Sequence, residues 1–494
     1  MKHTIDIRPE IAAFSSGALV MIFEILWSRI LGSYIGTSLF VWTSVIALIL
    51  WALAGGYFYG WKLADKWAGL RALSFLFLFC WFLFLSLPFI KDIILLSITS
   101  LFSDVRISSF FATLTLFVPV SFFLWMIQPI ATKLHIKNLE STGSVIGRLG
   151  SIGTVGSIIG TMAAGFFLIP FFGVVNLLVA LAFSCFILSL IHDKTSFIIA
   201  NTIWILLCFS TLWIEYMYAQ ENIKNWVHRI ETPYSHVTVK DGVYMGQRVR
   251  NLYIDNVTHA GRYLESDELL YDYTKAYHLF STLLPDAQEV VMFGGAAYSY
   301  PQSFVKTYPD KNIDVVEIDK DLTKLAKKYF WLGEYPNMNI FHEDARVFLR
   351  NNEKKYDAIL WDAFGSYFSI PYQLTTLETA QEKYNTLTDN WVVLLNVIGS
   401  VSAEKAKFVE AEYKTYSEVF PEVFIIPIRT TNTSEVQNLM MVALKNPEAV
   451  SYETDNPEIQ KLLDKKTYLN LPKNTPILTD DYAPVEYLIS ELAK

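Results

Sequence analysis

Seven stretches of this chain are apolar for about the 20 residues that carry a helix across a bilayer: residues 11–31, 38–60, 71–90, 108–130, 145–169, 172–191 and 196–219. No other feature constrains the fold as strongly. In hydrocarbon every backbone polar group must be satisfied within the segment, and for a run of this length that means a helix. All seven runs precede residue 222, and the charges divide at the same place. Residues 1–221 hold 12 Lys+Arg and 10 Asp+Glu, whereas residues 222–494 hold 28 and 38. The direct reading is a polytopic α-helical membrane bundle over 1–221, then a soluble half. A net charge of −8 argues against a nucleic-acid binder working through a broad basic field. Cys80, Cys185 and Cys208 all lie in apolar runs, so no disulfide framework or metal-ligand pair is expected.

The stretch Ile93–Ser103 is too short to span and reads as an interfacial segment. The first run is too long for a signal peptide and is followed at once by another. Lys2, Arg8, Lys62, Lys66, Arg71, Lys133, Lys137 and Lys194 fall on one side of the membrane if the N-terminus is cytoplasmic, and only Lys91 and Arg106 on the other, which favours that orientation. Seven spans then place the soluble half outside the cytoplasm, in a multi-pass protein of the cell inner membrane. Glu24, Arg29, Arg148 and Glu215 are costly within spans and often functional there; for Glu24 and Arg29 the plain alternative is a place near the span's end or pairing inside the bundle. The series Gly147, Gly150, Gly153, Gly156, Gly160, Gly165 is explained by close helix packing.

From residue 230 the hydrophobic period becomes two. His236–Val239 and Arg250–Asp255 alternate around Asp241-Gly242, a turn signal, and predict a small hairpin. A helix is expected over 267–283, giving an entry subdomain at 222–285. Over 286–494 strands at 289–293, 313–318, 339–342, 358–361 and 391–397 alternate with helices, and strands at 423–428 and 438–444 follow a helix at 403–418. This is a doubly wound, Rossmann-like α/β pattern, whose ligands bind beyond the carboxyl ends of the strands. Gly294-Gly295 lets backbone approach a ligand after the first strand. Glu317 ends the second, where an acid can accept both hydroxyls of a ribose. Asp344, followed by Ala345, ends the third, and Asp362 the fourth. Helix capping is the plain alternative for such acids.

These residues resemble the spermidine synthase (aminopropyltransferase) family over about 222–494. The landmarks are Thr232-Pro233-Tyr234-Ser235, Leu252-Tyr253-Ile254-Asp255, Asp267-Glu268 with Tyr271, Val316-Glu317-Ile318-Asp319, Asp344-Ala345-Arg346, Tyr356–Asp362 and Leu478–Pro484. The whole chain is similar to the membrane-fused bacterial branch, whose first span Glu24-Ile25-Leu26-Trp27-Ser28-Arg29 resembles. The resemblance implies an S-adenosylmethionine-type ligand: S-adenosylmethionine, its decarboxylated form or methylthioadenosine. Gly294, Gly295, Glu317, Asp344 and Ala345 would bind it, Glu317 at the ribose and Asp344 at the adenine. It implies Asp362 as the base for an attacking amine and Tyr271 as a substrate-site tyrosine. Three positions depart from the pattern: an acid of the glycine-rich loop is Ala297, a gate-loop acid is Gly365, and the Gln of a Pro-Tyr-Gln motif is Ser235. The nucleoside-holding groups are kept and several amine-holding groups are gone.

The expectation is therefore an enzyme, transferase or lyase, that has left polyamine synthesis and acts on a membrane-proximal substrate. A uronic-acid-containing envelope glycan fits, with the fixed sulfonium charge stabilising developing negative charge without being consumed. The alternatives are a membrane-anchored aminopropyltransferase, and a transporter or sensor with a nucleoside-binding domain. Candidate acid/base residues are Asp362, Tyr271, Tyr298 and His259, with Tyr298 expected to face the ligand. The gate segment Phe364–Pro371 carries Tyr367 and Phe368, aromatics that suit sugar rings better than dications. Expected partners are the bilayer and a small-molecule or glycan substrate, with no nucleic acid and a homodimer left open. No His/Cys cluster has zinc spacing, so no catalytic metal is expected.

Overall fold

The computed structural model describes residues 6–36, 38–102, 104–136, 142–169, 172–193, 226–363, 370–402 and 404–493. The chain divides into two compact units, Met1–Lys224 and Asn225–Lys494.

Among the described residues of the first unit, six helices are long and apolar enough to cross a membrane: α1 Arg8–Ile35, α2 Leu39–Trp67, α3 Leu70–Leu101, α4 Val105–His135, α5 Thr142–Leu168 and α6 Val174–His192. They cover the first six apolar runs. The seventh run, 196–219, with Glu215 and Cys208, lies outside the described residues. The separate interfacial segment after residue 92 is corrected, because α3 runs unbroken to Leu101 and carries Pro88 inside it. The charges that mark a break in the sequence are accommodated instead. Asp92 pairs with Lys91 and accepts the Tyr34 hydroxyl of α1 at 2.7 Å.

The core of this bundle is aromatic. Phe23 of α1 sits 4.9 Å, centroid to centroid, from both Phe84 of α3 and Phe117 of α4. Arg148 is paired, its guanidinium 2.7 Å from Glu10, which also approaches His135 at 3.2 Å. The glycine series divides by face. A Cβ on Gly153 would meet Gln128, on Gly156 the Phe14 carbonyl oxygen at 2.1 Å, and on Gly160 the Ala18 carbonyl oxygen at 2.5 Å, whereas Gly147, Gly150 and Gly165 face open space. Gly156 and Gly160 therefore serve the α1–α5 seam, while Gly153 faces Gln128 of α4. Gly156→Ala should cost about 1–3 kcal/mol through overpacking and lower the unfolding temperature in detergent, while Gly150→Ala leaves it unchanged. Equal melting of the two variants would contradict the seam.

In the second unit, β1 Val227–Glu231, β2 His236–Tyr244, β3 Gln247–Ile254 and β4 Val257–Tyr263 form an antiparallel sheet in sequential order. Asp241-Gly242 is not the turn. It lies inside β2, where Asp241 faces Arg250 across the ladder and accepts its guanidinium at 2.7 and 3.0 Å. The chain reverses at Met245-Gly246, both at positive φ. The helix expected over 267–283 is two short pieces, Asp272–Ala276 and Leu279–Leu283.

A seven-stranded mixed sheet follows. Its strands are β5 Glu289–Phe293, β6 Asn312–Val316, β7 Met338–Phe341, β8 Tyr356–Trp361, β9 Leu387–Gly399, β10 Glu422–Pro427 and β11 Gln437–Leu444, in the order β10-β11-β9-β8-β5-β6-β7. Contacts from β9 to β7 are parallel, and β11 is antiparallel to both neighbours. The parallel strands β5, β6, β8 and β9 are largely buried on both faces, so their sequences read as apolar runs, whereas the edge strand β7 is partly exposed along its length. Helices α7 Ser299–Thr307, α8 Lys320–Tyr329, α9 Ala345–Asn351, α10 Leu377–Thr386 and α11 Lys407–Ser417 lie between the strands in sequence. Strand order reverses between β5 and β8, which sets the switch-point crevice at their carboxyl ends. A smaller apolar cluster joins Val237, Val239 and Leu252 to Ala297, Leu322, Leu325 and Phe330. It fixes the small sheet beside the glycine loop.

Candidate active site

A cavity of about 500 Å³ opens at this switch point. Its floor is where β5 and β8 end side by side. The Asp362 N–H donates to the Phe293 carbonyl at 2.8 Å, and the Gly294 N–H to the Val316 carbonyl at 2.9 Å. Gly294 adopts φ +93°, and a Cβ there would lie 2.3 Å from the Asp362 carbonyl oxygen. Both conformation and space therefore require glycine.

The strand-end acids take different surroundings. Glu317 is buried. Its Oε2 accepts the N–H groups of Gly295 and Ala296 at 2.9 and 3.0 Å, and its Oε1 accepts that of Asp319 at 3.0 Å. Burial pushes its carboxyl up, opposed by these backbone donors. Of a carboxylate's roughly four acceptor sites, backbone takes three, so Glu317 shapes the loop and Oε1 keeps room for a further donor. Asp344 caps α9, its Oδ1 accepting from Arg346 and Val347 at 2.9 and 3.1 Å. Capping and ligand binding are compatible, since both cap bonds use one oxygen. Ala345 opens that helix. The exposed apolar side chains of Ile318, Phe341 and Val347 stand at the ends of β6 and β7 and on the first turn of α9.

Asp362 lines the cavity. Its Oδ1 accepts the Asn396 amide at 2.9 Å. Burial pushes its carboxyl up to about 6, against the lowering effects of Asn396, His259 and the Tyr273 hydroxyl. Tyr273 also reaches the His259 carbonyl at 3.2 Å. His259 lines the cavity, with Nδ1 2.9 Å from the Val257 carbonyl. Tyr271 lines it too, its hydroxyl donating to Asn251 at 3.0 Å, and burial pushes its phenol up. Asp362, Tyr271 and His259 are thus brought together.

Tyr298 is not, and its expected orientation toward a ligand is corrected. It is at positive φ and fully buried. Its hydroxyl is 2.7 Å from Thr323, and its ring lies beneath Gly295. The left-handed backbone turns the side chain under the loop instead of over it. Ala297 is fully buried in the small apolar cluster. Ser235 is buried in a turn where its N–H meets the Thr232 hydroxyl at 3.0 Å. Gly365, Tyr367 and Phe368 lie outside the described residues.

Sequence reasoning missed Tyr273, Asn396, Asn438, Gln437 and Arg429, all of which line the cavity. One signal was available: an asparagine within the apolar run Trp391–Ile398 needs a polar partner when buried. Among the described residues, no three His, Cys, Asp or Glu side chains gather to hold a metal ion.

Residues 273–452 match the spermine/spermidine synthase domain family. Over those residues the C-terminal unit is similar to spermidine synthases. The chain is 26% identical over 217 residues to a polyamine aminopropyltransferase of Vibrio vulnificus, covering 41% of this chain and 71% of that protein. It is 27% identical over 226 residues to a protein of Bifidobacterium longum named a probable polyamine aminopropyl transferase, covering 42% of this chain and 50% of that one. This chain therefore spans only half the length of the second relative. A solved structure of a probable spermidine synthase from Corynebacterium glutamicum aligns with a TM-score of 0.43 at 17% identity, covering 52% of this chain and 97% of that one.

In this spermidine-synthase-like domain the glycine loop and the Asp362 backbone share one tight contact. Gly294→Ala should destabilise the domain by about 1–3 kcal/mol, the cost of a non-glycine residue held in a sparsely populated backbone region, with the clash adding to it. A urea melt followed by tryptophan fluorescence measures this. Unaltered stability would show that the loop conformation is dispensable.

Proposed function

We propose that the C-terminal unit is an enzyme that binds an adenosyl ligand, S-adenosylmethionine or its decarboxylated form, and turns Asp362 on a neutral or anionic acceptor. The observation that carries this is the composition of the cavity wall. Its acids are Asp362 and Asp272, against Arg429 and His259, with amides from Asn396, Gln437 and Asn438. Asp272 also approaches Lys275 at 3.6 Å. A polyamine dication in a desolvated pocket needs carboxylates to offset its lost hydration. The position that would supply one in the glycine loop is Ala297, inside an apolar cluster.

The residues kept fit an adenosyl group. Glu317 would receive the ribose hydroxyls, and Asp344 and Ala345 would meet the adenine edge. Gly294-Gly295 would let the backbone come within contact of the ligand. When bound, a sulfonium supplies a fixed positive charge that can stabilise an anion developing nearby. Glu317→Ala removes hydrogen bonds from a charged acceptor, each worth about 1.5–3 kcal/mol. Calorimetric affinity for S-adenosylmethionine or methylthioadenosine should fall at least about tenfold. Unchanged affinity would remove Glu317 from the site.

Asp362, ionised above about pH 6, is placed to take a proton from an acceptor in the cavity. For a uronic-acid residue of an envelope glycan, the proton next to the carboxylate passes to Asp362. The bond to the 4-oxygen then breaks, a ring double bond forms, and the released glycan oxygen takes up a proton. Aminopropyl transfer to an amine is the second reading, favoured by the activity named for the Vibrio relative and open to the same base. Counting the seventh apolar run, the Lys/Arg bias favours an extracytoplasmic site, where a ligand that is not consumed would serve repeatedly.

The test is to supply purified full-length protein and adenosyl ligand with uronic-acid polysaccharide, and separately with a polyamine panel. Unsaturated product absorbing in the ultraviolet is expected from the polysaccharide. Its rate should rise with pH through about 6, since the base form of Asp362 is required, and Asp362→Asn should abolish it. Product from amines alone would establish the second reading.

A further inference from the structure

Two asparagines on neighbouring strands form a chain that ends on Asp362. Asn438 Nδ2 donates to Asn396 Oδ1 at 3.0 Å, and Asn396 Nδ2 donates to Asp362 Oδ1 at 2.9 Å. The sheet makes the alignment. In the antiparallel β9–β11 ladder Asn396 pairs with Met440 and Asn438 with Ile398. Asn396 and Asn438 therefore project from the same face as diagonal neighbours, within side-chain reach. Both line the cavity. Asn396 is buried in a strand otherwise apolar around it, where a polar side chain is costly unless bonded.

We propose that Asn438 and Asn396 are positioning residues, a two-amide relay that fixes the orientation of the Asp362 carboxylate and favours its ionised form. An ionised carboxylate only accepts, so Asn396 must present its NH₂ to Asp362. That turns its carbonyl oxygen toward Asn438, which must donate. If Asn438 cannot donate, the Asn396 carbonyl oxygen loses its partner, and a flipped Asn396 instead offers an acceptor to a protonated Asp362. Asn438 thus acts on Asp362 without touching it. The other groups facing Asp362 are His259 from β4, and Tyr273 and Tyr277 from the helical segment after it. Tyr277 donates to the Trp361 carbonyl at 3.0 Å. The relay is the one input to Asp362 from the β9–β11 side among the described residues.

The importance of Asp362 rests on the reading above, but the test needs neither ligand nor acceptor. Full-length protein in detergent is titrated by difference infrared spectroscopy, and the Asp362 carboxyl band is identified by its loss in Asp362→Asn. Asn396→Leu and Asn438→Leu should each raise the protonation midpoint by about one pH unit, as expected when a hydrogen bond to the charged form is lost. Asn438→Gln, which keeps an amide donor, should restore most of the shift. If Asn438→Leu does not fold, Asn438→Ser, too short to reach Asn396, replaces it. An unmoved midpoint in the Asn438 variant, with or without a lowered melting temperature, would overturn the relay. That result would leave adenosyl binding intact, and failure of the acceptor reading would leave the relay intact.

Discussion

The parallel contact between the carboxyl ends of β5 and β8 is the constraint on which the soluble unit depends. It places the Asp362 N–H on the Phe293 carbonyl and leaves no room for a side chain at Gly294. The glycine loop and Asp362 are thereby fixed to one another by backbone before any ligand is considered. Strands wound outward in both directions from this contact then deliver the remaining groups. Glu317 and Asp344 arrive from the β6–β7 side, and Asn396 and Asn438 from the β9–β11 side.

The same contact explains why one carboxylate differs from the others. Glu317 is surrounded by backbone donors and serves to shape the loop. Asp344 spends one oxygen on a helix cap. Asp362 has one amide, one phenol and a nearby histidine, stands half-buried in the cavity wall, and its carboxyl is pushed up by desolvation. Environment rather than residue type separates these acids. The small antiparallel sheet contributes His259, and through the short helical pieces after it Tyr271 and Tyr273. The apolar cluster that secures this sheet takes in Ala297 of the glycine loop, which is fully buried.

The N-terminal unit, whose described helices are long and apolar enough to cross a membrane, follows a different physics. Its helices are specified by length and hydropathy, but their seams are specified by small residues and aromatic shape. Gly156 and Gly160 admit the α1 backbone and Gly153 the Gln128 side chain of α4, while Phe23 stacks on Phe117 and meets Phe84 edge-on. A charge that looks like a break in the sequence, as at Lys91-Asp92, is absorbed when a facing helix supplies a partner such as Tyr34.

Much of this was legible in the sequence. Apolar length determined the six described helices, because a bilayer leaves a long apolar segment one secondary structure. Alternating periodicity marked the small antiparallel sheet and short apolar runs marked the large one, and the acids at the carboxyl ends of those runs pointed to the crevice, because successive parallel strands end at the same edge. Side-chain direction and partnership across the sheet were decided only in three dimensions. Tyr298 follows the glycine loop in sequence yet turns beneath it, through a left-handed backbone that no local pattern announced. Asn396 lies 34 residues from the carboxylate it holds, and Asn438 another 42 from Asn396. Strand order alone makes them neighbours. Sequence periodicity gives the face of a strand, but which strand lies beside which is settled by the packing of the whole sheet.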